Sequence, residues 1–300
     1  MATALPAHDR SPMRLLSVHA HPDDESSKGA GMAARYVSEG HQVRVVTCTG
    51  GERGDVLNPH LAADDSIPAR LAEIRREEMR AAAAALGVEH VWLGFEDSGL
   101  PQGDPLPPLP EGSFATLSLE ETTPALVAQL REFRPHVVVT YNEEGGYPHP
   151  DHIMTHKLTM SALDAAEDPH YRPDLGEPWS VSKVYYDVTF SRPRMMAFHE
   201  AMIGAGLDSP FEDWISSRED RPARPVHARV HVADFFTQRD DALRAHATQI
   251  DPEGWFFFMP REIEREIWPW EEFELAYSAV PVREMEESLF EGIEQAGASD

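Results

Sequence analysis

Four runs of apolar and β-branched residues recur through the first half of the chain: RLLSV at 14–18, QVRVVTCT at 42–49, HVWLGF at 90–95 and HVVVTY at 136–141. Helical segments alternate with them. SSKGAGMAARYVSEG (26–40) and the Ala-rich PARLAEIRREEMRAAAAALG (68–87) both close on glycine, and SLEETTPALVAQLREFR (118–134) starts acidic and ends basic, matching the helix dipole. Strand–helix–strand alternation demands right-handed crossovers and a parallel sheet covered on both faces. HVVVTY, almost wholly apolar, suits a strand buried on both sides. The expected fold is α/β: a Rossmann-like, mostly parallel sheet flanked by helices.

The second half is less regular and predicts a smaller mixed portion. KVYYDV (183–188) and a segment within VHARVHV (226–232) read as strands, FFTQRDDALRAHATQ (235–249) as a helix, and 261–279 as a helix followed by a strand. HYRPDLGEPWS (170–180) is the best candidate for a boundary, giving a metal-site portion over 13–170 and a pocket-completing portion over 171–283. The acidic tail, 284–300, is expected to fray.

Open sheets of this kind bind ligands beyond the carboxyl ends of their strands. That rule gathers four loops at one edge: AHPDDE after the first strand, GGERGD (50–55) after the second, EDSGL (96–100) after the third and NEEGGYPHPDH (142–152) after the fourth. Asp and Pro at a helix start need no function, because Asp caps free N–H groups and Pro suits the first turn. Capping explains one such segment. It does not explain why two segments at the same edge both carry histidines. A metal centre does: His21 and Asp24 are three apart at a loop-to-helix junction, and His152 arrives from the neighbouring loop. Two imidazoles and one carboxylate around an open position form the ligand set of a hydrolytic zinc site, with Fe2+ also compatible, one ion per chain. Asp23, beside a ligand, is placed as general base, His149 as general acid or oxyanion donor, and Tyr147 as a further O–H donor.

Charge narrows the partners. The chain has 52 Asp plus Glu against 26 Lys plus Arg, a formal charge of −26, which repels phosphate backbones and anionic lipid. Neither nucleic acid nor membrane is an expected partner; a small-molecule substrate is. Cys48 is the single cysteine, so no intramolecular disulfide forms, and a buried inert thiol is expected. With no apolar leader and no apolar run near ~18 residues, the chain reads as a soluble cytoplasmic protein.

AHPDDE after the first strand, with HPDH after a later one, resembles the LmbE-like zinc deacetylases, which include the N-acetylglucosaminyl-phosphatidylinositol de-N-acetylases and the mycothiol enzymes of actinobacteria. TGGERGD, RREE, DSGLP, GGYPHPDH and ALRAHATQID extend the resemblance to the mycothiol branch over about residues 13–280. HAHPDDESSKGA, GFEDSGLPQGDPLPPLP and EPWSVSKVYY are more similar to the branch members that cleave mycothiol S-conjugates than to the deacetylases. The resemblance implies zinc held by His21, Asp24 and His152, a base at Asp23, a transition-state histidine at His149 and a mobile tyrosine at Tyr147. It further implies that Arg75, Asp97 and Glu52 hold the glucosamine–inositol hydroxyls and that Lys28 reads the conjugate arm. The implied activity is hydrolysis of the cysteinyl–glucosamine amide of mycothiol S-conjugates in detoxification. The alternatives are deacetylation of N-acetylglucosaminyl-inositol and a pathway-specific amidase in secondary metabolism. A dinucleotide-binding oxidoreductase would need G-x-G-x-x-G after the first strand, where this chain has a bulky acidic loop. A non-catalytic metal protein would not need spare acid–base groups such as Asp23 and His149. His246 could reach the site or simply pack, and WFFFMP (255–260) could line a pocket for apolar S-substituents or fill a core.

Overall fold

The computed structural model describes residues 12–219 and 222–293. The strands are β1 (Arg14–His19), β2 (Gln42–Thr49), β3 (Glu89–Phe95), β4 (Val137–Thr140), β5 (Lys183–Asp187), β6 (Ala228–His231) and β7 (Trp270–Ser278). The helices are α1 (Asp24–Ser27), α2 (Ala30–Ser38), α3 (Leu71–Leu86), α4 (Leu119–Phe133), α5 (Pro150–Glu167), α6 (Arg192–Gly204), α7 (Glu212–Ser216), α8 (Phe236–Ala245) and α9 (Arg261–Ile267). One seven-stranded sheet has the order β3-β2-β1-β4-β5-β7-β6. β3 to β5 are parallel across that order, and β7 runs antiparallel between β5 and β6. The expected parallel α/β sheet is present, and strands from both halves of the chain share it.

The central strands alternate their side chains between two cores, as a period of two requires. Leu15, Val137 and Val139 face one cluster with Tyr36, Phe236 and Phe273. Leu16 and Val138 face the other with Leu126, Leu130 and Leu158. Cys48 lies fully buried in that second cluster, and burial pushes its thiol up to about 12, so it is inert at neutral pH.

Three local details depart from the sequence reading. The helix expected over 26–40 is broken: Lys28 is extended and Gly29 is left-handed (φ 75°), so α1 is a single turn ahead of α2. α6, started by Ser191 as N-cap and Pro193 in its first turn, was not foreseen. Residues 284–293 of the expected frayed tail are packed: Leu289 and Phe290 are fully buried, and the Lys183 ammonium and Tyr185 hydroxyl both bond to Glu286. Residues 294–300 of that tail lie outside the described residues.

The chain leaves β1 toward β2 and β3 on one side, then crosses to β4 on the other. The switch point therefore lies between β1 and β4, and their carboxyl-end loops face each other there.

Candidate metal centre

The loop after β1 supplies His21, Asp23 and Asp24, and the loop and helix after β4 supply Tyr147, His149, Asp151 and His152. The ligand atoms of His21, Asp24 and His152 lie within 4.8 Å of one another, and all three residues are buried. Hydrogen bonds fix which atoms face the common point. His152 Nδ1–H donates to the Gly145 carbonyl (2.9 Å), which leaves Nε2 as the lone-pair atom. That Nε2 is buried without a hydrogen-bond partner and sits 3.4 Å from Asp24 Oδ2. His21 Nε2–H donates to Asp151 Oδ2 (3.2 Å), and its Nδ1 is 3.7 Å from Asp24 Oδ2. A buried imidazole nitrogen with no partner is costly unless something accepts its lone pair. A divalent cation does so, and each histidine already has the carbonyl or carboxylate that orients a metal-ligating imidazole. The residues fit a metal ion.

Asp24 is the most heavily supported of the three. Lys28 Nζ donates to its Oδ1 at 2.6 Å, while Oδ2 accepts from Tyr141 O–H (2.7 Å) and the His21 backbone N–H (3.0 Å). Burial works against the charged form, but Lys28 and the two histidines hold this carboxylate well below its usual range. Around His21 the balance is similar: against burial, hydrogen bonds to Asp151 and Asp97 raise the imidazole to about 10. A second grouping, His21 with Asp97 and His149, is also compact. It is the poorer site. His149 Nδ1 already accepts the Asp151 N–H (3.1 Å), and Asp97 accepts N–H groups from Arg53 and Gly99.

Asp23 does not cap the helix that follows it; its side chain makes no capping hydrogen bond, and its backbone stands at φ 128°. Glu25 Oε2 instead accepts the Asp23 N–H (2.9 Å). The Asp23 carboxylate bonds Arg75 Nη2 at 3.2 Å, and burial raises its pKa, with Arg75 offsetting part of the rise. His149, by contrast, is the N-cap of α5. Burial and the adjacent His21 lower its pKa to about 4. With Nδ1 accepting a backbone N–H, the proton of the neutral ring is on Nε2. Tyr147 is exposed, its ring 4.6 Å from that of His152, on a loop that turns at Gly145 and Gly146. A Cβ at Gly145 would come within 2.6 Å of His152 Cβ, so this turn requires glycine.

The residues expected to read the substrate are mostly occupied in the scaffold. Arg75 is buried, donating to Gly51 O and Pro22 O as well as to Asp23, so it clamps two loops from beneath. Asp97 is buried beside His21 Nε2 (3.5 Å), and Glu52 Oε1 accepts the Asp97 N–H (2.9 Å). Lys28 does not stand apart from the ligands; it bonds one of them directly. His246 is fully buried, its Nε2 2.7 Å from Glu25 Oε1, behind the loop that carries Asp23. Two residues went unread in the sequence. Asp151 orients His21, and its signal was the carboxylate between the histidines of HPDH. Tyr141 holds Asp24 and stacks on His152 at 4.3 Å, and its signal was a hydroxyl-bearing residue directly after β4.

Fold and site together define an α/β protein with a buried histidine–aspartate–histidine cluster at its switch point that could hold a metal ion. Residues 16–163 match the PIG-L family, described as GlcNAc-PI de-N-acetylase. A mycothiol S-conjugate amidase of Streptomyces coelicolor is 55% identical over 285 residues, covering 94% of this chain and 97% of that protein. A 1D-myo-inositol 2-acetamido-2-deoxy-alpha-D-glucopyranoside deacetylase of Geodermatophilus obscurus is 43% identical, covering 85% and 88%. The chain belongs to the PIG-L family. Among solved structures, the N,N'-diacetylchitobiose deacetylase of Pyrococcus horikoshii superposes with a TM-score of 0.60 at 21% identity, covering 90% of this chain and 85% of that one. A 4-carboxy-2-hydroxymuconate hydratase of Pseudomonas putida has the same TM-score, 0.60, at 18% identity, over 90% of this chain and 99% of that one. The fold is therefore shared by chemistries other than amide cleavage, and the site has to carry the function. Among the described residues no helix is long and apolar enough to cross a membrane.

Proposed function

We propose that this chain is a zinc amidase that hydrolyses the cysteinyl–glucosamine amide of mycothiol S-conjugates, releasing a mercapturic acid and glucosaminyl-inositol. The observation that carries the reading is the 55% identity, sustained over nearly the whole chain, to an enzyme of that name. Identity to the glucosaminyl-inositol deacetylase is lower, at 43%. His21, Asp24 and His152 would hold the ion, and when bound it supplies Lewis acidity toward the amide carbonyl and toward water. The chain's own groups do the rest. Asp23, uncommitted to capping and oriented by Arg75, takes the proton from the attacking water. His149 Nε2–H and the Tyr147 hydroxyl donate to the oxygen on which negative charge develops. Asp151, Lys28 and Tyr141 hold the ligands in place, so the centre is organised before substrate arrives. Arg53, partly exposed and bonded to Asp97 O, and Glu52 form the polar wall beside β2 and β3 that suits a sugar–inositol group. Removal of S-alkylated thiols would make this a detoxification activity in the cytoplasm.

The test is a side-by-side assay of zinc-reconstituted protein on a mycothiol–bimane conjugate and on N-acetylglucosaminyl-inositol. The conjugate should be cleaved with the higher kcat/KM. Preference for the acetylated sugar would make the chain a deacetylase instead, and full activity in metal-free protein would overturn the mechanism.

A further inference from the structure

A half-open aromatic cleft lies beside α1, lined by Phe190, Met195, Phe198, Phe211, Trp255 and Phe256 together with Ser26 and Ser27. Part of this lining is ordinary core: Met195, Phe198 and Phe211 pack with Met259 and Trp268 into a small cluster. The rim is not. Phe190 is 39% exposed, and its ring lies 6.1 Å from that of Phe256 and 6.5 Å from that of Trp255, so three aromatic groups meet at an open edge. The charged floor is tied together by ion pairs. Arg239 grips Glu264 through both terminal nitrogens at 2.9 Å, and Arg194 and Arg261 bond to the same carboxylate. Asp240 bonds Arg239 and Arg261 as well, so these guanidiniums are engaged below, and it is the aromatic rim that presents apolar surface to a ligand.

Its place relative to the metal centre gives the occupant. Ser27 lies three residues beyond Asp24 on α1, about 4.5 Å along the axis at the usual rise. Phe190 follows β5, at the same carboxyl edge as the ligand loops. The polar wall of Glu52, Arg53 and Asp97 lies in the loops after β2 and β3, on the other side of the β1–β4 switch point. The centre therefore separates a hydrogen-bonding wall from an aromatic one. In a thioether conjugate the sulfur is three bonds from the scissile carbonyl carbon, roughly 4 Å away. With the sugar on the polar side, the group on sulfur is delivered to the cleft.

We infer that this cleft is the binding site for the S-substituent and selects aromatic or extended apolar thioethers. The inference rests on the amidase reading and sharpens it: an acetyl group ends before reaching the cleft, so a deacetylase has no use for it.

The experiment compares kcat/KM for bimane and S-methyl conjugates of mycothiol, using zinc-loaded wild type, Phe190→Ala, Phe256→Ala and the double variant. Metal content and thermal melting are measured on each. Wild type should favour the bimane conjugate at least tenfold. The double variant should lose at least tenfold of that ratio, chiefly through KM, because the lost contacts serve ground and transition states alike. Should Phe256→Ala melt low, Phe190→Ser at the exposed rim and Phe256→Leu serve in its place, with the bimane derivative of N-acetylcysteine as a direct fluorescent binding probe. Equal loss on both conjugates, or an unchanged ratio, overturns the cleft assignment while leaving amidase activity standing. A wild type that cleaves neither conjugate yet deacetylates N-acetylglucosaminyl-inositol overturns the amidase reading itself.

Discussion

His-Pro-Asp-Asp at 21–24 and His-Pro-Asp-His at 149–152 look like two copies of one device, yet they are built on opposite principles. In the second, the histidine caps α5, the proline takes the first helical turn, and Asp151 is wholly buried. In the first, no side chain caps α1, the proline's carbonyl is held by Arg75, and Asp23 is forced to φ 128°. The aspartates at the third positions show the division of labour. Asp151 is spent on orienting His21 across the switch point, while Asp23 is held out of the helix with its carboxylate available. Strain in the first loop and regular capping in the second are two halves of one site. A carboxylate engaged in capping would not be free to take a proton, and the loop that carries the proposed base leaves its helix without a side-chain cap.

The sharpest test sits in the second loop, where His149 and His152 are one helical turn apart. His152→Ala removes the orphaned Nε2 donor and should strip the ion. Losing several kcal/mol of charge stabilisation should cost about three or more decades of kcat/KM. His149→Ala should keep its metal and lose only donation to the oxyanion, about two to three decades. Elemental analysis of both proteins decides: equal metal loss would mean that the roles within HPDH are reversed. In the first loop, Asp23→Asn should retain metal and fold, because Asn tolerates positive φ better than most residues. Its turnover should fall by about two to four decades, the scale of a lost general base. Near-wild-type turnover would reduce Asp23 to a strained bystander.

Much of this is legible in the sequence alone. Apolar runs mark β1, β2, β4 and β5, β-branched in β2 and β4, because strands buried on both faces tolerate little else. The edge rule then places the histidines together. What escaped depends on contacts remote in sequence. β7 inserts antiparallel between β5 and β6, a pairing that no local pattern specifies. α6 buries Met195, Phe198 and Met202 at helical spacing, but Met196, Ala197 and Ile203 blur the stripe. Arg75 reads as a surface helix residue until Gly51 is brought against it; a Cβ there would meet Arg75 Nη1 at 2.3 Å. Lys28 was expected on the substrate's arm, yet it stands four residues after Asp24 and closes onto that carboxylate. The spacing was visible, but the break between α1 and α2 at Lys28 and Gly29 was not.

Asp151 tests whether the two loops act as one. Asp151→Ala leaves HPDH without its central carboxylate and removes the partner of His21 Nε2, 3.2 Å away in the other loop. Metal affinity or kcat/KM should fall by about 10–100-fold, the usual cost of losing a partner behind a ligand. The loss should be smaller than for Asp23→Asn, since His21 keeps Asp97 at 3.5 Å. Titration of the metal-free protein with zinc measures it. An unchanged affinity would separate the loops and leave His21 to orient itself.

The smallest effect expected is one of stability, and it should have opposite signs in the two loops. A non-glycine residue at positive φ outside the favoured wells costs about 1–3 kcal/mol. Glycine at position 23 would shed that cost, and replacing the carboxylate also ends its repulsion with Asp24. Against this stand the lost bond to Arg75 and the extra chain freedom of glycine when unfolded, about 0.5–1 kcal/mol. Asp23→Gly should therefore be about 1 kcal/mol more stable than wild type, a rise of about 2 °C in Tm, while being inactive. Asp151→Gly reverses the sign. It breaks a buried acceptor of the Ser98 N–H (2.9 Å) and puts glycine into the first turn of α5, so it should lose about 1–3 kcal/mol. Thermal melting of both zinc-loaded variants reads the contrast. If Asp23→Gly melts below wild type, no strain is stored at position 23, and the first loop is as relaxed as the second.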